Sequence, residues 1–120
     1  MENLIPKAVG PYSAYRVIGN TIYISGQLGL EPNTNMLEKT VEEQAKQSLN
    51  NLKNILELNG FNMSNVIKTT VLLSDISDFS KVNEIYASFF SEPYPARSAF
   101  AVKDLPKNAL VEIEAIAIKE

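Results

Sequence analysis

Residues 110–119 read Leu-Val-Glu-Ile-Glu-Ala-Ile-Ala-Ile-Lys, and this stretch decides the architecture. It is rich in β-branched residues, Val111, Ile113, Ile116 and Ile118, and reads as a strand. Val111, Ile113, Ala115 and Ala117 fall on one side, and Leu110, Glu112, Glu114, Ile116 and Ile118 on the other. The strand is apolar on both sides, with two carboxylates beside two isoleucines on the second. A sheet built around it needs cover on both faces.

The other elements follow from local signals. Residues 96–103 read as a strand paired with 110–119, with 104–109 connecting them. Residues 66–73 (Val-Ile-Lys-Thr-Thr-Val-Leu-Leu) form a buried strand. Residues 14–18 and 21–26 form a hairpin turning at Gly19-Asn20, and Pro32-Asn33-Thr34-Asn35 lies in a loop. Thr40 and Glu43 make a capping box, followed by Val41, Ala45, Leu49, Leu52, Ile55 and Leu56 on one helical face. Asn59-Gly60 stops that helix. Ser77 or Asp78 is expected to cap a second helix carrying Phe79, Val82, Ile85, Phe89 and Phe90, ended by Pro93 and Pro95. The order ββαβαββ predicts an α+β domain: a mixed sheet with both helices on one face. The uncovered, partly apolar face then predicts a homo-oligomer.

At 120 residues the chain makes one domain, 1–120, with 45% apolar and 21% charged residues. Residues 1–7 show no basic stretch leading into an apolar one, so no secretory leader is expected and the location is read as cytoplasmic. No apolar run reaches the ~20 residues that span a bilayer, so no membrane partner is expected. There is no Cys and no His. Thiolate chemistry, disulfides, imidazole bases and His-ligated metal are thereby excluded. A net charge of −3, with basic residues scattered, argues against a nucleic-acid partner.

Several segments carry a family resemblance. Residues 95–98 read Pro-Ala-Arg-Ser, 105–106 Leu-Pro and 111–114 Val-Glu-Ile-Glu. Gly10-Pro11-Tyr12 and Ile24-Ser25-Gly26-Gln27 lie upstream, and 44–52, 66–73 and 78–90 fit in the same order. Over essentially the whole chain this resembles the RidA/YjgF family of enamine/imine deaminases. The resemblance implies a chorismate-mutase-like fold in a homotrimer, with sheets packed inward as a barrel, helices outward and ligand clefts between subunits. It implies hydrolysis of 2-aminoacrylate and related enamines and imines to 2-keto acids and ammonia without cofactor or metal, as metabolite damage control. The substrates are small carboxylates released by pyridoxal-phosphate enzymes acting on serine or threonine.

Residue by residue, the resemblance makes Arg97 the carboxylate clamp, although by position alone it reads as a solvated arginine at a strand start. It makes Glu112 the group that holds the hydrolytic water and passes a proton to the departing nitrogen; otherwise Glu112 and Glu114 are charges that discourage aggregation. Tyr12 lines the cleft in the family, or else lids the core. Ser25 lies near the substrate, or else serves its turn. Asn83 contacts ligand, or else is an exposed helix residue. Ala99 stands where many relatives have Cys, so only its backbone is expected at the site. The loop 91–95 is shorter than in several relatives, which bears on the cleft rim. Asp75 and Asp78 read as turn and cap rather than metal ligands. Two other readings stand beside it: a non-enzymatic binder of 2-keto acids or other small carboxylates, using the same arginine clamp, and RNA cleavage, an activity ascribed to some members of the family, which the missing His and the acidic balance oppose.

Overall fold

The first hairpin turn among the described residues is made by Gly19, at φ +58°, in a region that glycine enters without steric penalty. It joins β1 (Tyr15–Ile18) to β2 (Thr21–Leu28), the hairpin expected from Gly19-Asn20. The structure is a computed structural model that describes residues 5–120, so the leader reading of residues 1–7 lies in good part outside the described residues. A short ribbon follows, β3 (Leu30–Glu31) and β4 (Met36–Leu37), where a loop is expected. It closes because the Glu31 carboxylate accepts from the backbone N–H groups of Asn33 and Thr34 and because Asn35 takes φ +60°.

Helix α1 (Val41–Leu58) begins with both bonds of the capping box: Glu43 N–H to Thr40 Oγ1 at 3.1 Å, and Thr40 N–H to Glu43 Oε1 at 3.2 Å. Its expected stripe, from Val41 to Leu56, is buried, and Gly60 follows at φ +80°. The chain continues through β5 (Val66–Leu73), α2 (Phe79–Ala87), β6 (Ala96–Ala101) and β7 (Val111–Ile118).

The cap of α2 differs from expectation. Asp75, rather than Ser77 or Asp78, accepts from Ser77 N–H at 2.9 Å and Ser77 Oγ at 2.8 Å, opening a 3-10 turn over Ile76–Asp78 that runs into α2. Asp78 makes no capping bond because its backbone is already helical. The helix also stops earlier than Pro93. Ser88 takes the C-cap, and Phe89 and Phe90 pack on the core from beyond it.

The sheet order is β1-β2-β7-β5-β6, antiparallel except for the parallel pair β5/β6. The expected pairing of 96–103 with 110–119 is therefore replaced. β6 takes the edge beside β5, and β7 inserts between β2 and β5. The physical reason lies in the two sequences. β7 is apolar on both sides and belongs in the centre, whereas β6 is mostly exposed and tolerates an edge.

Both helices lie on one face, as expected. Ile22, Ile24, Val71, Val111, Ile113 and Ala115 meet the α1 stripe there in the main core. At one end of the other face, Leu28, Leu30, Leu105 and Ala109 form a second, smaller core. The rest of that face, including Tyr23, Lys68, Thr70, Glu114 and Ile116, lines an open depression with no helix over it among the described residues.

Candidate functional site

The six candidate residues gather in three places. Arg97 lies on β6 opposite Thr69 of β5, and Thr69 is in turn opposite Ala115 of β7. Thr69 is fully buried toward α2, so its neighbour Arg97 also leaves the sheet on the helix side. Its Nη1 donates to Asn83 Oδ1 at 2.8 Å, bringing together two of the expected residues. The guanidinium lies 4.7 Å from the centroid of the Tyr86 ring and 5.4 Å from that of Phe79. Arg97, Asn83, Tyr86 and Tyr94 line an open cleft. Asn83 occupies one donor of a group that has five, and a planar fork of this kind matches a carboxylate. Ala99 follows two residues along β6 on the same side, half-buried against Val71.

Glu112 lies on β7 between Leu28 and Leu72, on the face away from the helices. It shares a cleft with Tyr12, Lys7, Gly26 and Pro106. The ladder between β2 and β7 is broken between Ile24 and Gln27, and Gly26 sits in that irregularity. A Cβ on Gly26 would run into the Glu112 carboxylate, so the glycine admits the acid to the cleft. Burial raises the Glu112 carboxyl above its ordinary value, and the negative charge of Glu114 raises it further. Tyr12 is half-exposed over the same cleft, held by its own N–H to Gly10 O at 2.8 Å and by Val9 N–H to its hydroxyl at 3.4 Å.

Ser25 belongs to neither group. It lines a third depression, on the open face, with Arg16, Tyr23, Lys68 and Glu114. Its Oγ donates to Ser13 O at 2.6 Å and its N–H to Ala14 O at 2.9 Å. The hydroxyl thus pins the segment that carries Tyr12, which is closer to the turn reading than to a ligand contact.

Two sets of residues around these clefts escape the sequence reading. One is Phe79 and Tyr86, which flank Arg97; Phe79, Asn83 and Tyr86 fall at i, i+4 and i+7 on one stripe of α2, a spacing visible in the sequence. The other is a polar seam on the buried side of α1. Ser48 Oγ donates to Gln27 O at 2.7 Å, and Asn51 Nδ2 donates to Leu28 O at 3.2 Å and Leu30 O at 3.0 Å. Gln44 Oε1 accepts from Leu110 N–H at 2.9 Å. The seam fixes the end of β2 beyond Gly26 and the entry to β7, one strand beside Glu112 and the other carrying it. Its signal is Gln44, Ser48 and Asn51 at i, i+4 and i+7 within an apolar helix.

Among the described residues no group of three or more Asp or Glu side chains is placed to hold a metal ion. No helix among the described residues is long and apolar enough to cross a membrane.

The profile of the endoribonuclease L-PSP family matches residues 3–119. A human protein named 2-iminobutanoate/2-iminopropanoate deaminase is 50% identical over 115 residues, covering 95% of this chain and 84% of its own. The crystal structure of RidA from the Antarctic bacterium Psychrobacter superposes with a TM-score of 0.95 at 45% identity, over 99% of this chain and 97% of that one. The crystal structure of Escherichia coli TdcF with bound serine superposes with a TM-score of 0.94 at 38% identity, over 100% and 97%.

Proposed function

This chain belongs to the endoribonuclease L-PSP family, also known as RidA/YjgF, and we propose on that footing that it hydrolyses reactive 2-imino and 2-enamino acids to 2-keto acids and ammonia. The observation that carries the reading is Glu112: a carboxyl half-buried in a narrow cleft, with burial raising its proton affinity, on a chain that has no imidazole or thiol to do acid–base work.

Arg97 holds the substrate carboxylate through parallel N–H bonds, and the cleft favours the imine tautomer. A water held by Glu112 and a backbone carbonyl attacks the C=N carbon. Its oxygen bonds to carbon, the C=N π pair moves to nitrogen, and a proton passes from the water through Glu112 to that nitrogen. The carbinolamine then collapses: its hydroxyl proton passes through Glu112 to the amine nitrogen, C=O forms, the C–N bond breaks and ammonia departs. Imines hydrolyse unaided in water, so the barrier to remove is modest, and each tenfold needs only ~1.4 kcal/mol. Positioning and one carboxylate are enough for that.

Arg97 and Glu112 lie on opposite faces of one sheet, so a shared site takes Arg97 from one subunit and Glu112 from the next. A homotrimer with inter-subunit clefts, working in the cytoplasm, meets that requirement, and it covers the open face holding Tyr23 and Ile116. RNA cleavage fits less well with a net charge of −3 and no histidine. A second reading, a binder of small carboxylates that performs no chemistry, is favoured by the TdcF relative with serine bound.

A pyridoxal-phosphate dehydratase generating 2-aminoacrylate in place, with pyruvate followed over time, tests the reading. Acceleration over the spontaneous rate that disappears in Arg97→Ala supports it. No acceleration with serine- or threonine-derived substrates rejects it in favour of the binder.

A further inference from the structure

The geometry points to Tyr86, with Phe79 as the second wall, as the positioning residue that holds Arg97 in one orientation. The inference rests on the reading of Arg97 as a carboxylate clamp. Arg97 starts an exposed edge strand, and a long side chain there is free to sample many rotamers. A clamp that must order itself on each encounter gives up binding free energy, so a useful one is held beforehand.

Three residues of a single α2 stripe do the holding. Phe79, Asn83 and Tyr86 present a ring, a carbonyl oxygen and a second ring, each in contact with the guanidinium. Asn83 is exposed and fixes only one nitrogen. Tyr86 is different because it is itself immobile. It is buried, its hydroxyl is hydrogen-bonded at 2.7 Å to Thr69 Oγ1, and its ring lies 4.7 Å from that of Phe90. Thr69 is the residue directly opposite Arg97 in the parallel β5/β6 register. The ring is thus tethered to the strand neighbour of the residue it supports. Its face is set relative to the Arg97 backbone, and a cation over that face is attracted by the ring quadrupole.

The ring face holds the guanidinium, and burial with the Phe90 contact keeps the ring in place even without the Thr69 bond, so Tyr86→Phe and Tyr86→Leu should differ. Two readouts apply: the 15N relaxation order parameter of the Arg97 Nε–H, and KM against kcat in the 2-aminoacrylate assay. The order parameter is expected to fall in Tyr86→Leu and to stay near wild type in Tyr86→Phe. KM is expected to rise about fivefold in Tyr86→Leu with kcat nearly unchanged, and to return most of the way in Tyr86→Phe. Should Tyr86→Leu not fold, Phe79→Leu carries the same test on the less buried ring. An unchanged Arg97 order parameter in the folded leucine variant overturns the inference. A wild-type protein that fails to accelerate hydrolysis overturns the clamp reading instead, and the relaxation data still decide whether the rings hold the arginine.

Discussion

Arg97 and Glu112 leave the sheet from opposite faces: through Thr69, Arg97 is in register with Ala115, three residues along β7 from Glu112. An odd separation on a strand reverses the side-chain direction, so one chain does not bring the two groups into one cleft. Two inactive variants, Arg97→Ala and Glu112→Gln, should therefore complement each other. Subunits mixed by mild denaturation and refolding at equal amounts should regain about a quarter of wild-type activity, the fraction of shared sites that receive both native residues in a ring of copies. A site lying within one chain would regain nothing.

Removing the guanidinium should act on binding. Arg97→Ala forfeits charge-assisted hydrogen bonds that contribute roughly 1.5–3 kcal/mol, so kcat/KM should fall about 10- to 150-fold. Arg97→Lys keeps the charge but loses the fork, and should recover only part of that loss in the same steady-state assay.

The Glu112 carboxyl is raised first by burial and then by Glu114. As a base it must be ionised, so the acid limb of kcat/KM should lie above the ordinary glutamate range, and Glu114→Gln should move it down. Stability carries the same sign. A carboxyl raised in the folded state favours the protonated form, so its contribution is present below the unfolded pKa and lost as pH rises through the folded one. Glu112→Gln should match wild type in Tm near about pH 4 and exceed it near about pH 8.

Two glycines three residues apart in sequence should respond differently: Gly26→Ala meets the movable end of a side chain, the Glu112 carboxylate, whereas Gly29→Ala meets the backbone of Gln44. The first should keep its Tm and lose activity by about tenfold or more as the carboxylate is pushed aside. The second should lose about 1–3 kcal/mol of stability in urea denaturation, because neither backbone yields without strain.

Asn51→Ala strips the donor from the carbonyls of Leu28 and Leu30. Each buried acceptor left bare costs about 1–3 kcal/mol, so urea denaturation should show a large loss from a residue well removed from the chemistry.

Much of this was legible before any coordinates. The capping box at Thr40 and Glu43, the Gly19 turn and the two-sided character of 110–118 are local patterns, and local patterns survive folding. The pairing of β6 was not, because which strand lies beside which is settled by burial across the whole sheet rather than by order along the chain. The same holds for the site. Arg97 is hydrogen-bonded to Asn83 and Ser25 turns its hydroxyl to Ser13, contacts fourteen and twelve residues apart that no motif encodes. Asp78 holds the N-cap position of α2 without a capping bond, because Asp75 caps a 3-10 turn of three residues that runs straight into the helix.

The central place of β7 has a consequence for biosynthesis. It is translated after every other strand of its sheet, yet it supplies the ladder on both sides, to β2 and to β5. Until it emerges from the ribosome, the β1–β2 hairpin and the β5–α2–β6 unit have no shared strand to join them. Completion of the sheet and arrival of Glu112 are one event, so a nascent chain stopped short of residue 111 presents two unjoined sheet edges and no acid.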